Sequence, residues 1–199
     1  YLTRAPDFDA AQGILLPSGP HEIPLVFQDR DFAVTTWTDN GVTYAETNLY
    51  SSGHPWHYHA VVNGKITPYL KVEPRPYRFR ILNGTGFRSL ALSMAVTEPD
   101  GSKKKGTNVP AAPLFTVVGN EDGYLQYATN VSRIATMPGE RVDVVVDFSS
   151  FTNEGFRHIT VQNAFGGGRG GSNADVVGAP FITNLMQFQV SLTLSTNGT

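Results

Sequence analysis

The sequence predicts an all-β protein, a Greek-key sandwich or barrel. Three observations predict it. Apolar and polar residues alternate with a period of two over many short runs. The 20 glycines and 13 prolines punctuate those runs at short intervals. No convincing amphipathic helix longer than two turns can be drawn, which leaves about ten strands joined by turns.

Taken in order, residues 1–15 form a lead-in carrying Pro, Gly and Asp, residues 16–194 one domain, and residues 195–199 a tail. "EIPLVFQDR" (Glu22–Arg30) reads as a strand. Pro24 puts it at a strand start or an edge, because proline has no N–H for a ladder. "DFAVTTWT" (Asp31–Thr38) reads as its partner strand, followed by a turn at Asp39-Asn40-Gly41, and residues 43–57 read as less regular. Asn63-Gly64 sits between β-forming residues and is the strongest hairpin signal in the chain, with "PYLKVEP" completing that unit. In "YRFRIL" (Tyr77–Leu82), Tyr77, Phe79 and Ile81 face one way and Arg78, Arg80 and Leu82 the other. "SLALSMAV" and "PLFTVVGNE" are strands separated by a polar loop over 97–112. "RVDVVVDF" (Arg141–Phe148) places Val142, Val144, Val146 and Phe148 on one face, opposite Asp143 and Asp147. "RHITVQNA" and "LMQFQVSLTL" are further strands, flanking the glycine-rich loop "FGGGRGGSNAD".

Composition narrows the function. A net charge of −2 offers no electrostatic basis for binding nucleic acid, and the basic run Lys103–Lys105 reads as a solvated loop tip. No apolar run approaches the ~18 residues of a membrane span. There are no cysteines, so disulfides, thiolate metal sites and cysteine nucleophiles are excluded within the chain. Three N-x-[ST] sequons, at Asn83, Asn130 and Asn197, lean toward a secreted glycoprotein. Asn83 precedes a glycine and reads equally as a turn residue that favours positive φ. The start at Tyr1 looks like a processed terminus or the middle of something longer. The carboxylates form no acid–base pair, no serine has a G-x-S-x-G context, and Gly166–Gly171 follows no phosphate-binding pattern.

"VVNGKITPYLKVEPRPYRFRILNGTGFRSLALS" (Val61–Ser93) resembles the middle, cupredoxin-like domain of three-domain multicopper oxidases, of the bilirubin oxidase, spore-coat laccase and copper efflux oxidase type. Four more segments match that domain in order: "LPSGPHEIPLVFQDRDF", "FTVVGNEDGYLQ", "MPGERVDVVVDF" and "LMQFQV". The resemblance implies a copper-free scaffold between two copper-bearing cupredoxin domains, its partners, that also lines the substrate pocket. The parent would couple one-electron substrate oxidation to reduction of dioxygen, in an extracellular or periplasmic setting. The chain alone is expected to be inactive and to hold no cofactor, since blue copper needs a cysteine thiolate with two histidines. The family's H-W-H-G and H-C-H-x-x-x-H motifs are also missing.

Under that resemblance Arg75, Arg78, Arg80, Arg88, Glu140 and Arg141 brace the domain against its neighbours or lock its own turns; the plainer reading is ordinary surface ion pairs. "GHPWHYHAV" departs from the family, which shows a glycine and an acidic residue near His57 and Tyr58. In an extended strand His57 and His59 share a face, about 6.5–7 Å apart, and His54 folding back completes a candidate metal site. The alternative is three partly exposed histidines packed near Trp56. Two other functions stay open: a secreted β-sandwich acting alone as a binding module, and a small histidine-based metal-binding domain.

Overall fold

Both Asn-Gly steps turn the chain in the way their residue types favour. Asn40 and Gly41 have φ of 48° and 80°, and Asn63 and Gly64 have φ of 48° and 81°. Positive φ at both central residues defines the type I′ turn, whose twist suits a tight hairpin. The computed structural model describes residues 16–50, 57–98, 114–149, 151, 158–164 and 182–191. The lead-in 1–15, the tail 195–199, His54, Lys103–Lys105, Gly166–Gly171 and Asn197 lie outside them.

The described strands are β1 (Glu22–Asp39), β2 (Val42–Tyr50), β3 (His59–Val62), β4 (Lys65–Ile66), β5 (Tyr69–Val72), β6 (Pro76–Asn83) and β7 (Leu90–Val96), followed by β8 (Phe115–Asn120), β9 (Gly123–Val131), β10 (Ile134–Thr136), β11 (Arg141–Asp147), β12 (His158–Asn163) and β13 (Asn184–Val190). They make two sheets. The larger has eight strands in the order β4-β3-β1-β6-β11-β8-β9, with β2 attached to β1 alone; the smaller runs β10-β7-β12-β13-β5. Both are mixed, because β1 runs parallel to β6 and β5 parallel to β13.

The alternation read in the sequence forms the core. Leu25 and Phe27, Tyr77, Phe79 and Ile81, and Val142, Val144 and Val146 all turn inward from the larger sheet. They meet Leu90, Leu92, Ile159, Met186 and Phe188 from the smaller one. Phe148, fully buried, joins the two layers, with its ring 4.9 Å from Phe188 and 5.7 Å from Tyr77.

Four expectations are corrected. Asp31–Thr38 is not a partner of Glu22–Arg30 but its continuation, since β1 runs unbroken through both. The partner is β2, in a segment expected to be less regular; no glycine or proline interrupts Val42–Tyr50, and its β-branched and aromatic residues suit a strand. The segment after the Asn63-Gly64 turn does not complete that hairpin. Only Lys65–Ile66 returns along β3, and Tyr69–Val72 crosses to the other sheet. Strands β9 and β10 add to the expected set; β9 is mostly exposed, so burial did not select the apolar alternation that marks half-buried strands.

Pro24 sits on β1 where the ladder is one-sided. The β1–β3 pairing starts only at Phe27. The Asn63 side chain fills the gap, donating to the Pro24 carbonyl (2.8 Å) and accepting from Val26 N–H (2.8 Å). The Asn63 backbone N–H adds a bond to the Val26 carbonyl at 3.1 Å. This asparagine therefore serves both its turn and its neighbouring strand.

Candidate functional site: an arginine-lined face of the larger sheet

The face of the larger sheet turned away from the core carries Arg78, Arg80 and Arg141. Cross-strand register places Pro24, Arg80, Asp143, Gly119 and Tyr124 in one row across five strands. Val26, Leu82 and Arg141 form a neighbouring row.

Arg78 is covered on this face. Its Nε donates to both Asp143 oxygens (2.9 and 3.0 Å), its Nη2 donates to Asp143 Oδ2, and the same Nη2 reaches the Tyr124 hydroxyl at 2.7 Å. The guanidinium carbon lies 5.4 Å from the centre of the Tyr124 ring. Burial opposes the charge of Arg78, but the bonds and charge of Asp143, with Tyr124, outweigh it and raise its pKa above the ordinary value. Asp143 is itself fully buried.

Arg88 is buried at the end of the sheet, with Nε 3.4 Å from Asp29 and Nη2 donating to the His57 carbonyl at 3.1 Å. Asp29 also accepts from His57 N–H (3.2 Å), and Asp31 accepts from Tyr58 N–H (2.7 Å) while contacting His57 Nδ1 (3.1 Å). Two buried aspartates and Arg88 thus anchor the segment that enters β3. His57 lies before that strand, so it and His59 do not share an extended run as expected. His59 opens the strand, edge-on to Phe32 at 5.7 Å. Among the described residues, no three His, Cys, Asp or Glu side chains form a cluster able to hold a metal ion.

The remaining arginines are more accessible. Arg75 pairs with Glu73 (2.9 Å) and Arg80 with Glu22 (3.4 Å). Arg141 pairs with Glu121 (2.7 Å) and donates to the Gly139 carbonyl (3.1 Å). Glu140 accepts from Met137 N–H at 2.7 Å, closing the turn around Gly139, whose φ is 89°. Between Arg80 and the Arg141–Glu121 pair lies a groove of about 500 Å³. Pro24, Val26 and Leu82 line it with apolar surface, and Arg80, Glu121 and Arg141 give it a polar rim.

Asn83, at the end of β6, is fully buried. Its Nδ2 donates to the carbonyls of Arg88 and Thr136, both at 3.1 Å, and its Oδ1 accepts from Thr85 N–H at 3.1 Å. Neither Asn83 nor Gly84 has positive φ, so the turn rationale is corrected. Gly84 suits a close approach to β1: a Cβ there would meet Val26 Cγ1 at 3.0 Å and the Phe27 carbonyl oxygen at 3.3 Å, tighter than ordinary contact. A glycan on Asn83 Nδ2 would displace two carbonyl bonds, whereas Asn130 stands on an exposed stretch of β9. Asn83→Ala is expected to cost about 2–4 kcal/mol by leaving buried groups without partners. Asn130→Ala should stay within about 0.5 kcal/mol. Urea midpoints of the two variants measure the contrast, and equal midpoints would refute it.

A cysteine-free, mixed two-sheet β-sandwich of this form is a cupredoxin-like domain. The chain is 33% identical over 191 residues to a laccase of Haloferax volcanii, covering 92% of this chain and 27% of that enzyme. It is 32% identical over 180 residues to the bilirubin oxidase of Albifimbria verrucaria, covering 88% of this chain and 27% of that protein. A crystal structure of a variant of the multicopper oxidase McoA from Aquifex aeolicus superposes with a TM-score of 0.63 at 28% identity, over 94% of this chain and 35% of the other. The chain belongs to the multicopper oxidase family. It spans between a quarter and a third of the length of these two curated relatives. No protein-family model matches it.

Proposed function

We propose that the chain is the copper-free middle domain of a multicopper oxidase, with residues 16–194 as one domain that holds two copper-bearing cupredoxin domains in place. The observation that carries this reading is the donor set: the whole sequence has no cysteine. The thiolate of a blue copper site is therefore missing, and the described histidines are not assembled into a substitute. The cysteine-free donor set does not fit the family's blue copper, and no electron-transfer step is assigned to it.

What the chain's own residues do is mechanical. The Arg78–Asp143–Tyr124 and Arg88–Asp29 clusters stiffen the sheet from within. The groove lined by Pro24, Val26 and Leu82, with Arg80 and Arg141 at its rim, offers an apolar surface with charged edges for a neighbouring domain. The parent would oxidise a phenolic, tetrapyrrole or metal-ion substrate by single electrons; four electrons and four protons convert one dioxygen to two waters. An extracellular or periplasmic location is part of the same reading. No helix among the described residues is long and apolar enough to cross a membrane.

The test is copper loading of the purified 199-residue chain. The expected result is no blue thiolate band and no oxidation of a phenolic substrate. Oxygen consumption by this chain with such a substrate would overturn the proposal.

A further inference from the structure

The hairpin formed by the second half of β1 with β2 stands apart from the rest of the larger sheet. Among the described strands β2 pairs with β1 alone. Its apolar side chains are exposed: Val34 at 64%, Trp37 at 48%, Val42 at 54%, Tyr44 at 44% and Leu49 at 72%. A two-stranded ribbon is marginal in water, and a third strand is the usual remedy.

Among the described strands none lies along the other edge of β2, where a third could add. In a hairpin closed by a two-residue turn, the flanking pair, here Asp39 and Val42, exchanges both backbone bonds, and alternate pairs follow. The N–H and C=O groups of Thr43, Ala45, Thr47 and Leu49 therefore point away from β1. Natural edges are blunted by lysine, proline or short length. β4 has two residues and includes Lys65, and β5 includes Lys71. β2 has nine residues and neither lysine nor proline.

Charge selects the occupant. No lysine or arginine occurs anywhere between Asp31 and Gly64. The register puts Thr35, Trp37 and Asp39 on one face of the ribbon with Glu46, Tyr44 and Val42. On that face Trp37 and Tyr44 stack at 5.5 Å, at an interplanar angle of 17°, flanked by the two carboxylates. A lysine or arginine opposite Glu46 would meet a carboxylate and an adjacent ring, both of which attract a cation. The other face carries Val34, Ala45, Thr47 and Leu49, which suit aliphatic side chains. A second copy pairing about Glu46 would set like charges opposite each other.

We propose that the free edge of β2 binds an extended basic segment as an added strand, with Lys or Arg alternating with aliphatic residues. The probe is a capped, fluorescein-labelled heptapeptide alternating lysine with valine, compared with the same peptide carrying glutamate for lysine. Binding to the full 199-residue chain is followed by anisotropy. The lysine peptide is expected to bind about tenfold more tightly than the glutamate one, less so at high salt. Glu46→Lys should reverse that preference. Ala45→Pro should abolish binding while keeping the hairpin, because the Ala45 N–H faces outward. Binding that survives Ala45→Pro, a preference unmoved by Glu46→Lys, or no binding by the wild type overturns the proposal. So does sedimentation showing that a second copy occupies the edge.

Discussion

Asp143→Ala is expected to destabilise the chain by about 3–5 kcal/mol, because it strands a buried guanidinium. Arg78 is 5% exposed and Asp143 is fully buried, so water cannot replace the lost partner without opening the sheet. The bonds removed are those from Arg78 Nε and Nη2; the Tyr124 hydroxyl, 2.7 Å from Nη2, remains as a hydrogen-bond partner but does not replace the carboxylate. Arginine cannot shed its proton to escape, least of all where its pKa is already raised. The double substitution Arg78→Met with Asp143→Leu is expected to recover most of the loss, since both charges then leave the interior together. Guanidinium denaturation followed by far-ultraviolet circular dichroism gives the midpoints. A single-variant loss below about 1 kcal/mol would show the pair to be solvated, as surface pairs are.

Phe148→Ala is expected to cost about 3–5 kcal/mol, from lost transfer energy and the cavity left behind. The ring lies within 6.2 Å, centroid to centroid, of Tyr77, Phe79, Phe151 and Phe188. Phe79 comes from the larger sheet and Phe188 from the smaller, so the cavity opens between the layers, where neither sheet can collapse inward without bending its ladder. Phe148→Leu should lose less than half as much, because it refills part of the space. Equal losses for the two variants would mean that the site relaxes, contrary to the packing described.

How much is legible in the sequence varies with the range of the interaction. The Asn63-Gly64 and Asn40-Gly41 turns are readable because their residues prefer the φ they adopt. The alternation in Tyr77–Leu82 and Arg141–Phe148 reveals which side chains face the core, since a period of two is a local property. Asp143 is within sight as a partner for the outward arginines, but its complete burial is not: Tyr124 covers the pair from a strand that the pattern does not mark. The continuation of β1 past Arg30 is hidden because Asp29, Arg30 and Asp31 look like a polar break. Folded, the two aspartates are buried and bonded to Arg88, His57 and Tyr58, all more than twenty residues away.

By its letters alone the chain determined its class: strands with a period of two, turns of Asn-Gly type, and a donor set without sulfhydryl groups that cannot build a blue copper site. Only the folded arrangement decided which arginines are available. Arg78 and Arg80 are two positions apart on the same face of one strand, yet the first is sealed under Tyr124 and the second borders an open groove. The difference comes from neighbours that lie far along the chain, and pairing across a sheet, unlike alternation within a strand, is a relation that no local pattern encodes.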